Sequence, residues 1–260
     1  MLDVRDPQVF ARGHAPGAVH LPAAAWDERA AELPPRDARI CIVAEDATAA
    51  ERAAETLRDR GFAGAVAADA ALLAARAETG PARAVLWMPS PALVAAAAHL
   101  PVRGRALDVA CGSGRNATWL ACRGLATWGI DLLPDALVRA RGVASHAPHA
   151  GPIAFAVADA TRPLPFRDGT FDVVCGFRYL DRALFPRLAR LLRPGGVLVW
   201  ETFLEAQAQF GRPRRPEHLL AEGELERLCR AAGLATLRVE EVVAPGGPAL
   251  AAIVARAPAS

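Results

Sequence analysis

The stretch Ala106–Ala117 reads "ALDVACGSGRNA": a short apolar run carrying one acid, then two glycines a residue apart, then a helix-forming sequence. A glycine turn between a buried strand and a helix lets backbone N–H groups approach a ligand at the carboxyl end of a sheet. Gly112, Gly114 and Ala117 also satisfy the G-x-G-x-x-A spacing of dinucleotide sites, so the turn alone does not choose among nucleotide ligands. Outward from it the chain reads strand (106–109), turn, helix (116–123) and strand (126–130). "AFAVAD", "FDVVCGF" and "GVLVWETF" follow as further strand signals. Strands alternating with helices predict a mostly parallel sheet covered on both faces. The two apolar runs "ATLRVEEVV" and "ALAAIVARA", joined by "APGGP", predict an antiparallel hairpin at one edge.

The acids around the turn discriminate between ligands. Asp131 ends the second strand about 20 residues beyond the turn, where a carboxylate can accept from ribose hydroxyls. Asp108 precedes Gly112 and Asp159 ends "AFAVADA", so three strands each bring an acid toward one edge of the sheet. Such a rim repels a pyrophosphate and attracts a sulfonium that carries an amino group. S-adenosylmethionine is the expected cofactor, with an NAD-linked oxidoreductase and a non-catalytic S-adenosylmethionine-binding regulator as alternatives.

Composition narrows the remaining classes. The chain has 260 residues, 53% hydrophobic and 22% charged, with a formal net charge of +2, which predicts globular folding without a broad nucleic-acid or membrane footprint. No apolar run approaches the roughly 20 residues of a membrane span, and "MLDVRDP" has no apolar signal segment, so a cytoplasmic location is expected. There is no lysine, which removes Schiff-base chemistry and a Gly-Lys-Ser/Thr phosphate loop. Five scattered cysteines lack metal spacing, and no metal site is expected.

"ALDVACGSGRNA", "GIDLLPDAL", "AVADA", "FDVVCGFRYL" and "LLRPGGVLVWETF", in that order, resemble the class I S-adenosylmethionine-dependent methyltransferases over roughly Leu86 to Pro258. The resemblance implies a Rossmann-like domain. It places Asp108, Ala110 and the turn Gly112, Ser113 and Gly114 beside the methionine portion, Asp131 and Leu132 beside the ribose, and Asp159 and Ala160 beside the adenine. Ala110 stands where the family usually has its first glycine. "FRYL" and "ETFLEAQAQFGRPRRPEHLLAEGEL" resemble the narrower tellurite-resistance-type methyltransferases. The catalytic candidates are Arg178 and Tyr179, at the end of the fourth strand. The substrate-binding candidates are Glu201, Arg212 and Arg214, since arginine forks suit oxyanions. The expected acceptor is a small soft or anionic nucleophile, a thiol, selenium or tellurium species, and not nucleic acid.

The first part of the chain is a separate problem. "LDVRDPQVFARGHAPGAVHLP" resembles the opening of a rhodanese domain, although the helix and strand that normally precede it are missing, so either an incomplete domain or a misplaced start is expected. "RICIVA" reads as its central strand. "TAAERAAETLRDRGF" reads as the next helix, with Thr48 and Glu51 at capping-box spacing. Counting back from Gly61 puts Ala44 where those enzymes carry their cysteine nucleophile, and Glu45 and Asp46 would repel anionic sulfur donors. Cys41 is expected to be a buried strand thiol. The expected organisation is therefore a partial rhodanese-like α/β domain over 1–69 that lacks the nucleophile, a linker over 70–92, and the methyltransferase domain over 93–260. The first domain is expected to offer a protein-partner surface and no sulfur transfer.

Overall fold

A computed structural model describes residues 1–68, 77–80, 84–149 and 151–259, so parts of the predicted linker, 70–76 and 81–83, lie outside the described residues. The chain forms two compact units, the first over Met1–Met88 with Ser145–Pro148 and the second over Pro89–Ala144 with His149–Ser260.

The first unit is a four-stranded parallel sheet with β1 (Leu2–Asp3), α1 (Pro7–Arg12), β2 (Val19–His20), β3 (Ile40–Val43), α2 (Ala47–Asp59) and β4 (Ala65–Ala67). The strand order is β2-β1-β3-β4. Its core packs Leu2, Leu21, Trp26, Ile40, Ile42 and Leu57. Asp3 is wholly buried and held by the Arg5 guanidinium at 2.7 Å, which also donates to the Gly13 carbonyl at 2.8 Å, so the charge lost from water is compensated on both sides. The cap of α2 differs from the sequence expectation: Asp46, not Thr48, sits at the N-cap and accepts from Ala49 N–H at 2.7 Å. An aspartate two residues earlier starts the helix sooner and takes Thr48 into its first turn.

The second unit opens with α3 (Pro91–Ala95), capped by Ser90, which brings part of the expected linker into the domain. It continues with β5 (Arg105–Val109), α4 (Arg115–Cys122), β6 (Ala126–Asp131), α5 (Pro134–Ser145), β7 (Ile153–Val157), β8 (Phe171–Phe177), α6 (Phe185–Leu191), β9 (Leu192–Phe203), α7 (Glu224–Ala231), β10 (Ala235–Val243) and β11 (Ala249–Arg256). The seven-stranded order is β10-β11-β9-β8-β5-β6-β7. The strands β7 to β9 are parallel, whereas β11 runs antiparallel to both β9 and β10. The hairpin is as expected, and its second strand is the one inserted beside β9. Chain order reverses direction between β5 and β8, which opens a crevice at their carboxyl ends. Trp200, fully buried on β9, donates to the Tyr179 carbonyl at 3.0 Å and packs on Phe185 at 5.6 Å, which fixes the loop after β8. No described helix is long and apolar enough to cross a membrane.

Gly129 on β6 controls the fit of the strands that carry the site. A Cβ there would lie 2.6 Å from the Phe155 ring and 3.0 Å from Cys111 Sγ. Gly129→Ala should therefore cost about 1–3 kcal/mol by overpacking, read as a lower urea midpoint; an unchanged midpoint would show that β6 and β7 yield freely.

Candidate functional site

The glycine turn is built by backbone conformations that few side chains tolerate. Ala110, Gly112 and Gly114 have φ of +53°, +54° and +69°. Ala110 thus occupies a left-handed position that favours glycine, at a cost of roughly 1–2 kcal/mol, and the turn keeps its course despite the substitution. A Cβ on Gly112 would meet nothing within 4 Å, so open space lies over the turn; at Gly114 it would strike Ala140 and Phe155. The first glycine leaves room for a ligand and the second allows α4 to pack.

Gly114 is the N-cap of α4 and offers no side-chain oxygen. Asp108 supplies one from the preceding strand: its Oδ2 accepts Ala117 N–H at 3.0 Å, while Oδ1 lies 3.7 Å from Cys175 Sγ. The expected three-acid rim is corrected here, because Asp108 is wholly buried under the turn and shapes the site from behind. Burial, the dominant effect, raises its carboxyl to about 7, against the helix hydrogen bond that favours the charge.

Asp131 does reach the mouth. Its Oδ2 accepts Gly112 N–H at 2.8 Å and its Oδ1 accepts Leu133 N–H at 3.0 Å. A carboxylate has about four lone-pair sites, so two remain for ligand hydroxyls. Leu132 beside it is 58% exposed, an apolar surface at the rim. Asp159 is half-exposed; its carboxyl lies below its ordinary value because the hydroxyl and N–H of Thr161 both donate to it, at 2.7 and 2.9 Å. Ala160, half-buried, follows it against the core. Open space at Gly112 and free acceptor sites on Asp131 fit S-adenosylmethionine.

On the other side of the crevice, Arg178 has φ +58°, donates its N–H to the Glu201 carbonyl at 2.7 Å and lays its guanidinium 5.3 Å from the Phe203 ring centre. Held strain of this kind is concentrated at functional sites. Glu201 is 6% exposed; burial raises its carboxyl, while the Arg178 charge and a 3.3 Å bond from Ser90 Oγ oppose the rise. Tyr179 is half-buried, and burial first, then the Asp181 and Asp159 charges, raise its phenol, which makes it a hydrogen-bond donor and not a base at neutral pH. Arg115 was missed by sequence reasoning. It opens α4 beside the crevice, and burial and then the charge of Arg178 lower its guanidinium. Its position directly after the glycine turn, in "GSGRN", was the available signal. Ser90 and Asn116, joined at 2.7 Å through Ser90 N–H, were also missed, for they meet across 26 residues.

Arg212 and Arg214 stand exposed on a loop and form no side-chain bond to the described residues. The loop is anchored at its ends. Gln207 donates to the Arg212 carbonyl at 3.2 Å, while Arg182 binds Glu224 and donates to the Leu219 carbonyl at 2.7 Å. In the first unit, Ala44 directly follows β3 and is buried, and Glu45 and Asp46 are exposed. Cys41 corrects another expectation: it lies within β3 as read, but half-exposed and not buried. No group of three or more His, Cys, Asp or Glu among the described residues could hold a metal.

The second unit is a Rossmann-like domain with a glycine turn at the carboxyl end of its sheet, preceded by the first α/β unit. The comparisons agree: residues 106–196 match the methyltransferase domain family, and residues 1–70 match the rhodanese-like domain family. YqeM of Bacillus subtilis, named as a methyltransferase, is 35% identical over 113 residues, 40% of this chain and 44% of the relative. YrkF of the same organism, named as a sulfur carrier protein, is 37% identical over 62 residues, 24% of this chain and 33% of the relative. The chain therefore spans less than half the length of either. A solved S-adenosylmethionine-dependent methyltransferase from Methanosarcina mazei, 23% identical, superposes with a TM-score of 0.53 over 63% of this chain and 97% of that one, a likeness of fold. The chain thus carries a rhodanese-like domain followed by a methyltransferase domain.

Burial of Asp108 has a measurable consequence. Below its ordinary value of 3.8 both folded and unfolded chains hold the proton; between there and about 7 only the folded chain does. The stability it contributes is thus full at low pH and lost as pH rises to about 7, with an amplitude on the order of 4 kcal/mol. Asp108→Asn should remove that component from the pH profile of the urea midpoint. Parallel profiles for the two proteins would refute a protonated Asp108.

Proposed function

We propose that the protein is an S-adenosylmethionine-dependent methyltransferase whose acceptor is a small soft or anionic nucleophile, a thiol, selenium or tellurium species, of the tellurite-resistance type. The carrying observation is Arg178, held at φ +58° with its guanidinium 5.3 Å from the Phe203 ring centre, with Arg115 opening α4 within reach of its charge. An anion between them would relieve their repulsion and draw on fork geometry suited to oxyanions.

Bound S-adenosylmethionine supplies an electrophilic methyl group on a sulfonium. Asp131 and the Gly112 turn hold the ribose side, Leu132 and Ala160 offer apolar surface, and Asp159 flanks the adenine. Arg178 and Arg115 orient the acceptor, and Tyr179 donates a hydrogen bond. Glu201, poised by burial and Ser90, sets the charge balance of the arginine pair. Arg212 and Arg214, on an anchored loop, would meet an anionic acceptor as it enters. A nucleophile already ionised at pH 7 needs no dedicated base, which suits a site whose phenol is raised and stays protonated at neutral pH. The five free cysteines suit a reducing cytoplasm, and the small net charge speaks against nucleic acid as partner. The rhodanese-like domain acts as a partner surface without sulfur transfer, since Ala44 occupies the nucleophile's place.

Each charged hydrogen bond lost with Asp131→Ala costs about 1.5–3 kcal/mol, so calorimetric S-adenosylmethionine binding should weaken at least about tenfold, and unchanged affinity would sink the cofactor site. A panel of thiols, selenite and tellurite with radiolabelled cofactor should yield methylated products. In that assay Arg178→Ala should raise KM or lower kcat for the acceptor and leave cofactor affinity nearly intact. Methylation of tRNA or protein alone would contradict the substrate reading. Thiosulfate-to-cyanide sulfur transfer should stay at background, and activity lost in Cys41→Ser would overturn the inactive first domain.

A further inference from the structure

The strand order ends at β10, and among the described residues no strand pairs with its outer edge. This edge is nine residues long and exposes Leu237, Val239, Val242 and Val243. Long apolar edges are templates for pairing with another chain, and folded proteins usually blunt them. The three charges here, Arg238, Glu240 and Glu241, do not simply repel; their order is self-complementary. We propose that β10 pairs antiparallel with β10 of a second copy of this chain, about a two-fold axis through Val239, so that two sheets continue into one.

The register follows from symmetry and charge. A two-fold axis perpendicular to the sheet leaves every side chain on its own face, so it must pass through a residue and not between residues. An axis at Arg238 would oppose two arginines; one at Glu240 or Glu241 would oppose two glutamates, and like charges directly opposite are destabilising. Val239 is the middle residue of Ala235–Val243, and it and its neighbours Arg238 and Glu240 lie in the regular part of the ladder, so an axis there gives regular central pairs. In that register Val239 meets Val239, Arg238 meets Glu240, and Glu240 meets Arg238. Within one strand Arg238 already binds Glu240, so the two pairs close into an alternating ring of four charges.

Two further features agree with this register. Glu241, which would oppose Leu237, has its carboxylate occupied by Gly223 N–H at 2.8 Å and is thus held on its own subunit. The bulge between Thr236 and Arg238 ends the regular ladder just beyond Arg238, so regular pairing about the axis centres on Val239 and the two Arg238–Glu240 pairs. The partner is therefore a second copy, recognised by charge order on an exposed strand. This inference does not depend on the proposed reaction.

Light scattering of the full chain on a sizing column should show a dimer forming at micromolar concentration. Arg238→Glu and Glu240→Arg each place like charges across the axis and should give monomers, and the doubly swapped protein should dimerise again, with far-UV dichroism confirming that each variant is folded. Val239→Cys should cross-link to itself with a short bis-maleimide, above the background of the unmutated chain, and more readily than Val242→Cys, which lies off the axis. A monomer at every concentration would overturn the proposal. A dimer that persists in both single variants, without the Val239→Cys cross-link, would place the interface elsewhere and overturn it equally.

Discussion

The hydrogen bond from Ala117 N–H to the buried Asp108 carboxylate, 3.0 Å long, ties the central strand to the helix across the glycine turn. A helix whose N-cap is glycine has no oxygen of its own for the third N–H, and an exposed cap residue at Gly114 would collide with Ala140 and Phe155. An acid reaching up from β5 meets both demands: it satisfies the helix and leaves the upper surface of the turn bare. The second tie, Gly112 N–H to Asp131, fixes the turn to the next strand and presents the carboxylate's other lone pairs to the crevice. Ligand space at Gly112 and acceptor geometry at Asp131 thus depend on a carboxylate that touches no ligand.

Much of this arrangement was legible in the chain. Apolar runs bounded by glycine located β5, β6 and β8, because buried parallel strands need no alternation to be recognised. The turn and Asp131 followed from spacing alone. The depth of Asp108 did not, since a strand-end acid points up or down according to pairing and pleat, which only the assembled sheet decides. Arg115, Ser90 and Asn116 escaped for a related reason: Ser90 reaches Glu201 across 111 residues, and no local pattern marks such a meeting. The hairpin was readable from its turn, whereas the insertion of β11 beside β9 is a non-local choice that buries its apolar side chains Ala249, Ala251 and Ile253.

The first domain is held together by interactions that need no catalytic group. Its central sheet, the buried Asp3–Arg5 pair and the Asp46 helix cap are all in place, and these are interactions of stability. At the carboxyl end of β3 stand Ala44, Glu45 and Asp46, a small apolar group and two acids, where sulfur transfer needs a thiolate beside cations. The proposed chemistry therefore rests on the second domain's own site and not on the fold of the first.

The central claim is that the turn, Asp131 and the mouth of the crevice select a cationic sulfonium cofactor over a dinucleotide. The most direct measurement is calorimetric titration of the unmutated full-length chain with S-adenosylmethionine and, separately, with NAD under the same conditions. Saturable binding of S-adenosylmethionine with no detectable heat from NAD is the result expected from a rim that keeps Asp131 and Asp159 at its surface. Tighter binding of NAD, or equal binding of the two, would contradict it.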